Sequence, residues 1–166
     1  MMRVICMMGL PRSGKSTVSR VLSMQFAAPV VNRDSIRLAL HGERFLKPAE
    51  PMVRVLARIM VEALFNAGHG TVIVDETNLK RATRDFWRDG PWATEFLQVQ
   101  TSKELCIARA QATDDEAIMP VIQAMDDYAE PLDESVEHVS AVLAAEFPAI
   151  KAALERATSQ QPEGAE

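Results

Sequence analysis

A three-layer α/β fold, a parallel sheet with helices on both faces, is the architecture this sequence predicts. Three features carry the prediction. Short apolar runs alternate with amphipathic helical segments over the first hundred residues. A glycine-rich turn, Gly9 to Ser16, joins the first run to the first helix, and a later apolar run ends on a carboxylate, Asp75. Apolar runs bounded by turn residues read as buried parallel strands, and the helices between them supply the crossovers. Because such crossovers are right-handed, the loops that carry chemistry gather at the C-terminal strand ends.

Each element follows from its residues. Arg3–Met8 is a buried strand stopped by Gly9, and Lys15 to about Gln25 places Val18, Val21 and Leu22 on one helical face. Pro29–Val31 is a second strand, leading into Asn32-Arg33-Asp34, with Ser35 able to cap the next helix. His41–Pro51, with one glycine, two prolines and mixed charge, reads as a loop. Met52–Ala67 repeats apolar residues at three-to-four spacing and ends at Gly68-His69-Gly70. The β-branched run Thr71–Val74 is a central strand. Arg81–Arg88 is helical, Gly90-Pro91 punctuates, Glu95–Gln100 is a fourth strand and Lys103–Ala110 a helix. Past the acidic turn Asp114-Asp115-Glu116, the sequence predicts helices over Ala117–Tyr128 and Val139–Ala157. Residues 1–158 are expected to form one domain, and 159–166 a disordered polar tail.

At 166 residues the chain suits a single core. Its 48% hydrophobic and 25% charged content is that of an ordinary globular protein. With no bilayer-length apolar stretch and no signal peptide before the first strand, a cytoplasmic location is expected. Cys6 and Cys106 lack metal-ligand spacing and read as buried thiols, and the scattered His41, His69 and His138 suggest no metal site. The net charge of −5 is unevenly spread: up to residue 100 there are 14 Lys/Arg against 9 Asp/Glu, leaving 4 against 14 beyond. A basic half could attract polyanions, although solvated helix faces would give the same count.

Gly9-Leu10-Pro11-Arg12-Ser13-Gly14-Lys15-Ser16 fits the phosphate-loop pattern G-x-x-x-x-G-K-[ST]. Glycines let the backbone turn so that amides converge on phosphate oxygens, and the following helix adds its positive end. In such a loop Lys15 reaches the β- and γ-phosphates of ATP and Ser16 offers its hydroxyl to Mg²⁺, with Gly9, Ser13, Gly14 and Thr17 completing the cradle. For Arg12 two readings stand open, leaning over the phosphates or pointing to solvent.

Phosphoryl transfer to a hydroxyl requires a carboxylate that accepts its proton. Asp34, at the end of the second strand, is placed to face the loop, and Arg37 one helical turn on can face the same cleft. The same residue types would also make a helix-capping turn. Asp75 closes its strand in the manner of a metal-binding acid, able to hold Mg²⁺ directly or through water, and Glu76-Thr77-Asn78 adds polar groups there.

Taken together, Gly9–Thr17, Asn32-Arg33-Asp34-Ser35-Ile36-Arg37 and Asp75-Glu76-Thr77-Asn78 resemble, in order, the three motifs of the polynucleotide kinase family of P-loop kinases. The likeness spans residues 1 to about 80 and continues more weakly to about 130. It implies the P-loop kinase fold with a helical lid, placed at about 108–120. It further implies Asp34 as general base, Arg37 as the arginine that engages a phosphate of a nucleic-acid acceptor, and Lys15, Ser16 and Thr17 on ATP and Mg²⁺. Thr77 and Asn78 would shape the acceptor side of the strand end, and Arg109 matches the first of two lid arginines that bind ATP. The second lid position falls on Thr113, and Arg12 is the candidate to stand in for it. The expected acceptor is a polynucleotide 5′-hydroxyl, on DNA rather than RNA. The alternatives are a hydroxymethylpyrimidine within phage DNA, with Trp87 or Trp92 as stacking partners, and a nucleoside, sugar or antibiotic.

Overall fold

Every strand pair of the sheet runs parallel, and that single fact decides where the loops emerge. The computed structural model describes residues 1–43, 46–134, 137 and 145–159. Its strands are β1 (Arg3–Met8), β2 (Val30–Asn32), β3 (Thr71–Asp75) and β4 (Ala93–Gln98), in the spatial order β2-β3-β1-β4. The helices are α1 (Lys15–Phe26), α2 (Arg33–His41), α3 (Glu50–Asn66), α4 (Arg81–Arg88), α5 (Lys103–Gln111), α6 (Met119–Asp127) and α7 (Pro148–Ser159). Short 3-10 turns precede α3 and α6.

Alternation along each strand feeds two cores. Val4, Cys6, Val72, Val74 and Phe96 point to one face, where Val53, Ala57 and Val61 of α3 and the indoles of Trp87 and Trp92 cover them. Ile5, Met7, Ile73 and Leu97 point to the other, under Val18 and Leu22 of α1 and Ile150, Ala153 and Ala157 of α7. This is the three-layer α/β arrangement that the run-and-helix alternation predicts. A third apolar cluster joins Met8 and Leu10 to Cys106, Ala110 and Ile122, so that α5 and α6 pack beside the glycine-rich loop.

The differences from the sequence reading lie at element ends. The second strand is Val30–Asn32 rather than Pro29–Val31, because its ladder with β3 pairs Val30 with Ile73 and Asn32 with Asp75. The cap of α2 is Asn32, not Ser35: the Asn32 side chain accepts the Ser35 amide at 2.9 Å. Part of the expected 41–51 loop is helical, since α2 reaches His41 and α3 begins at Glu50 with Pro51 in its first turn, where the missing N–H costs nothing. The fourth strand begins at Ala93 and stops at Gln98, and Ala117–Tyr128 divides into a 3-10 turn and α6. The last helix starts at Pro148, after non-helical Phe147, rather than running on from Val139. Residues 138–144 lie outside the described residues, as does the expected tail except Ser159, which ends α7.

One buried cation ties two loops of this scaffold together. The fully buried Arg84 of α4 donates to Glu137 at 2.6 Å and to the carbonyls of Asn78, Leu79, Glu130 and Pro131. Those carbonyls belong to the segment after β3 and the segment after α6, so one guanidinium joins two loops distant in sequence. Replacing Arg84 by Met should lower the free energy of unfolding by about 3–5 kcal/mol, the usual cost of stranding the partner of a buried ion pair. Urea denaturation reads this as a fall in the midpoint, and an unshifted midpoint would refute the anchoring role.

Candidate active site

The loop after β1 is shaped by the neighbouring strand ends as much as by its own residues. The amide of Gly9 donates to the Thr77 carbonyl at 3.0 Å, and the Val99 amide donates to the Met8 carbonyl at 2.8 Å. A Cβ on Gly9 would stand 2.8 Å from the Val99 carbonyl oxygen, so only glycine allows this approach. Gly14 ends the loop at φ +95°, and its Cβ would meet the Cβ of Ala157 at 2.8 Å. The buried Thr101 hydroxyl lies within hydrogen-bond distance of both the Ser13 and Ala157 carbonyls, linking loop and α7.

α1 then begins at Lys15, and its first amides have no intrahelical acceptor. Such a helix start, with a lysine beside it, is a ready anion site. Lys15 Nζ donates to the Leu10 carbonyl at 2.6 Å and lies 3.4 Å from Ser13 Oγ. Burial lowers its pKa to about 8, against the upward pull of Asp75, Cys106 and Asp34. Ser16 and Thr17, in the next positions, are exposed.

Ser16 Oγ donates to Asp75 Oδ2 at 2.8 Å, and Asn32 Nδ2 donates to the same oxygen at 3.2 Å. A hydroxyl and a carboxylate in contact at the start of a phosphate-binding helix form a hard-oxygen set that suits Mg²⁺. These residues fit Mg²⁺ and a polyphosphate together. Among the described residues no group of three His, Cys, Asp or Glu forms a separate metal cluster.

On the acceptor side, Asp34 and Arg37 are brought together, but not as the sequence resemblance implies. Asp34 has a side chain 64% exposed, whereas that of Arg37 is only 5% exposed. Arg37 donates to Asp34 and, through Nε and Nη2, to both oxygens of Glu50. Burial alone would raise the Glu50 pKa, but Arg37, helped by Arg33 and Arg54, holds the carboxyl below its ordinary value. Arg37 is thus ion-paired on two sides, in no position to meet an acceptor phosphate while these pairs hold. Its neighbour Arg33 approaches buried Glu76 at 3.1 Å, and burial pushes the Glu76 carboxyl up.

Several other expected site residues act within the protein. Asn78 is buried in a left-handed conformation, φ +47°, and donates to the Met7 carbonyl at 2.8 Å, bracing β1 instead of meeting an acceptor. Thr77 lends its carbonyl to Gly9. Arg109 reaches the Arg12 carbonyl at 3.1 Å and the Ala157 carbonyl at 2.7 Å, pinning the loop to α7. Arg12 neither points freely to solvent nor lies on the loop: its guanidinium pairs with Asp115. Trp87 and Trp92 are core residues, as their burial shows, and offer no stacking surface.

Glu50, Thr101, Asp115 and the Ala157 carbonyl were not singled out for the site by the sequence. Their partners lie 13 to 103 residues away, so no local pattern marks them.

The AAA domain family matches residues 4–132. Among solved structures, a gluconokinase from Sinorhizobium meliloti 1021 is 21% identical, with 93% of each chain covered and a TM-score of 0.63. A sugar kinase from Janibacter sp. HTCC2649 is 24% identical over 84% of this chain and 83% of its own, with a TM-score of 0.60. Shikimate kinase from Acinetobacter baumannii is 18% identical over 83% and 82%, with a TM-score of 0.56. At these identities the likeness establishes the fold. Among curated proteins, none matches the chain. No helix among the described residues is long and apolar enough to cross a membrane.

The depressed pKa of Lys15 has two measurable consequences. Bound phosphates favour its charged form, so nucleotide binding should take up a proton above about pH 8. Calorimetric titration in two buffers of different ionisation heat checks this, and identical heats would refute it. In the ligand-free protein the unfolded chain holds more protons at this lysine between about pH 8 and its ordinary 10.5. Its contribution to stability therefore rises with pH through that window.

Proposed function

The chain belongs to the AAA domain family, and on that premise we propose that it is an ATP-dependent kinase whose acceptor is a hydroxyl on a small polar molecule. The observation that carries this reading is the exposed carboxylate of Asp34, held by the buried Arg37 at the strand edge where Asn32 pairs with Asp75. Lys15 and the loop amides would hold the β- and γ-phosphates, and Ser16 and Asp75 would hold Mg²⁺. Mg²⁺, when bound, neutralises phosphate charge.

Asp34 accepts the proton of the acceptor hydroxyl as that oxygen bonds to the γ-phosphorus. The bond from phosphorus to the bridging oxygen breaks, and its electron pair leaves on ADP. Arg37 does not touch the acceptor in this scheme. It orients Asp34, and Glu50 orients it in turn.

Three features support a small acceptor over a polynucleotide. Arg37, the residue expected to engage a nucleic-acid phosphate, is already paired with two carboxylates. The two tryptophans that could stack on a base are buried. The neighbours described above as gluconokinase, sugar kinase and shikimate kinase are named for small hydroxyl compounds.

Labelled ATP supplied with a panel of sugars, polyols, hydroxy acids and nucleosides should label at least one of them. The same assay includes a 5′-hydroxyl oligonucleotide and hydroxymethylpyrimidine DNA. Label on either DNA, with a steep fall as salt rises, would replace this acceptor class by a nucleic acid. Hydrolysis of ATP with no acceptor labelled would sink the kinase reading. Asp34→Asn should lower the transfer rate by about 10²–10⁴-fold while sparing ATP affinity, and retained transfer would remove the base assignment.

A further inference from the structure

Arg12 holds a backbone conformation that an arginine does nothing to favour. Its φ is +64°, between Gly9 and Gly14, which also have positive φ and meet no such penalty. A strained non-glycine residue inside a substrate loop is a reason to ask what its side chain does.

The side chain is 29% exposed and ion-paired with Asp115, in the turn between α5 and α6, itself 33% exposed. The backbone beneath it is held independently of that pair. The Arg12 carbonyl accepts from Arg109, the Ser13 carbonyl from Thr101, and the Ser13 amide donates to Leu10. Swinging the guanidinium off Asp115 therefore requires side-chain rotation alone.

Around the loop the other cations are engaged in shaping it. Lys15 donates to the Leu10 carbonyl and Arg109 to two backbone carbonyls. Asp115 offers Arg12 one partly solvated carboxylate, whereas a bound triphosphate offers several charged oxygens that a planar guanidinium can grip in pairs. The exchange favours the phosphate.

Building on the kinase reading above, we propose that Arg12 is a catalytic residue that leaves Asp115 for the γ-phosphoryl oxygens when nucleotide binds. There it offsets the charge redistributed as the acceptor oxygen bonds to phosphorus and the bridging bond breaks, with the proton on Asp34 and the electron pair on ADP. Asp115 holds the guanidinium in place of the phosphate until then.

The test needs no knowledge of the acceptor. Wild type, Arg12→Gly, Arg12→Lys and Asp115→Asn are titrated calorimetrically with Mg²⁺-ADP and with the Mg²⁺ complex of a β,γ-imido ATP analogue. Arg12→Gly should cut the preference for the triphosphate by more than about tenfold. Its ADP affinity should persist and its thermal midpoint should be no lower, since glycine relaxes the loop. Arg12→Lys should recover part of the preference. Asp115→Asn, which frees the guanidinium, should increase it. If Arg12→Gly keeps the wild-type preference, or Asp115→Asn loses as much as Arg12→Gly does, the pair is only a tether and the proposal is overturned. Wild type that binds neither nucleotide would instead bring down the kinase reading, and this assignment with it.

Discussion

Asp75 receives the hydroxyl of Ser16 and the amide of Asn32 on one oxygen, and the candidate site is arranged around that junction. The junction exists because β1 and β2 both pair in parallel with β3, in registers that set Cys6 opposite Val74 and Asn32 opposite Asp75. Parallel pairing makes the C-terminal ends of neighbouring strands coincide at one edge of the sheet. A slip of one residue in β2 would turn Asn32 to the other face and exchange buried Val31 for exposed Val30. The two apolar faces of the sheet therefore hold the site in register.

Arginines do much of the remaining work, two of them, Arg84 and Arg37, fully or nearly buried and Arg109 partly so. Arg84 gathers carbonyls from two loops, Arg37 joins Asp34 to Glu50, and Arg109 joins the loop to α7. A guanidinium has five donors in a fixed fork, so one side chain can satisfy several backbone or carboxylate oxygens at set angles. At the strand end after β2 this leaves Arg37 already paired, with the exposed carboxylate of Asp34 beside it. On the proposed reading, that balance of charge suits a hydroxyl better than a phosphate.

Much of the fold was legible because it is encoded locally. The runs Arg3–Met8 and Thr71–Val74 and the helical spacing over Met52–Ala67 are short-range signals, and each element forms within a residue or two of its expected bounds. The ends were less legible because partners outside the element decide them. The β3 ladder extends β2 to Asn32, and the α2 cap falls to Asn32 because its side chain, not that of Ser35, reaches a free helical amide. Pro148 starts a helix where apolar spacing alone suggested continuity, since a proline fits the first helical turn better than the middle.

By itself the sequence determined the layered α/β class, the glycine-rich loop from Gly9 to Ser16 and the placing of Asp34 and Asp75 at or just after the ends of neighbouring parallel strands. These follow from spacing within single elements and from the handedness of their connections. Only the tertiary structure decided what each polar side chain faces. It turned Arg37 inward onto Glu50, gave Arg109 to the Ala157 carbonyl and set Arg12 against Asp115, 103 residues away. A charged side chain settles where burial, geometry and the nearest opposite charge balance best. That balance forms only after packing has brought distant segments together.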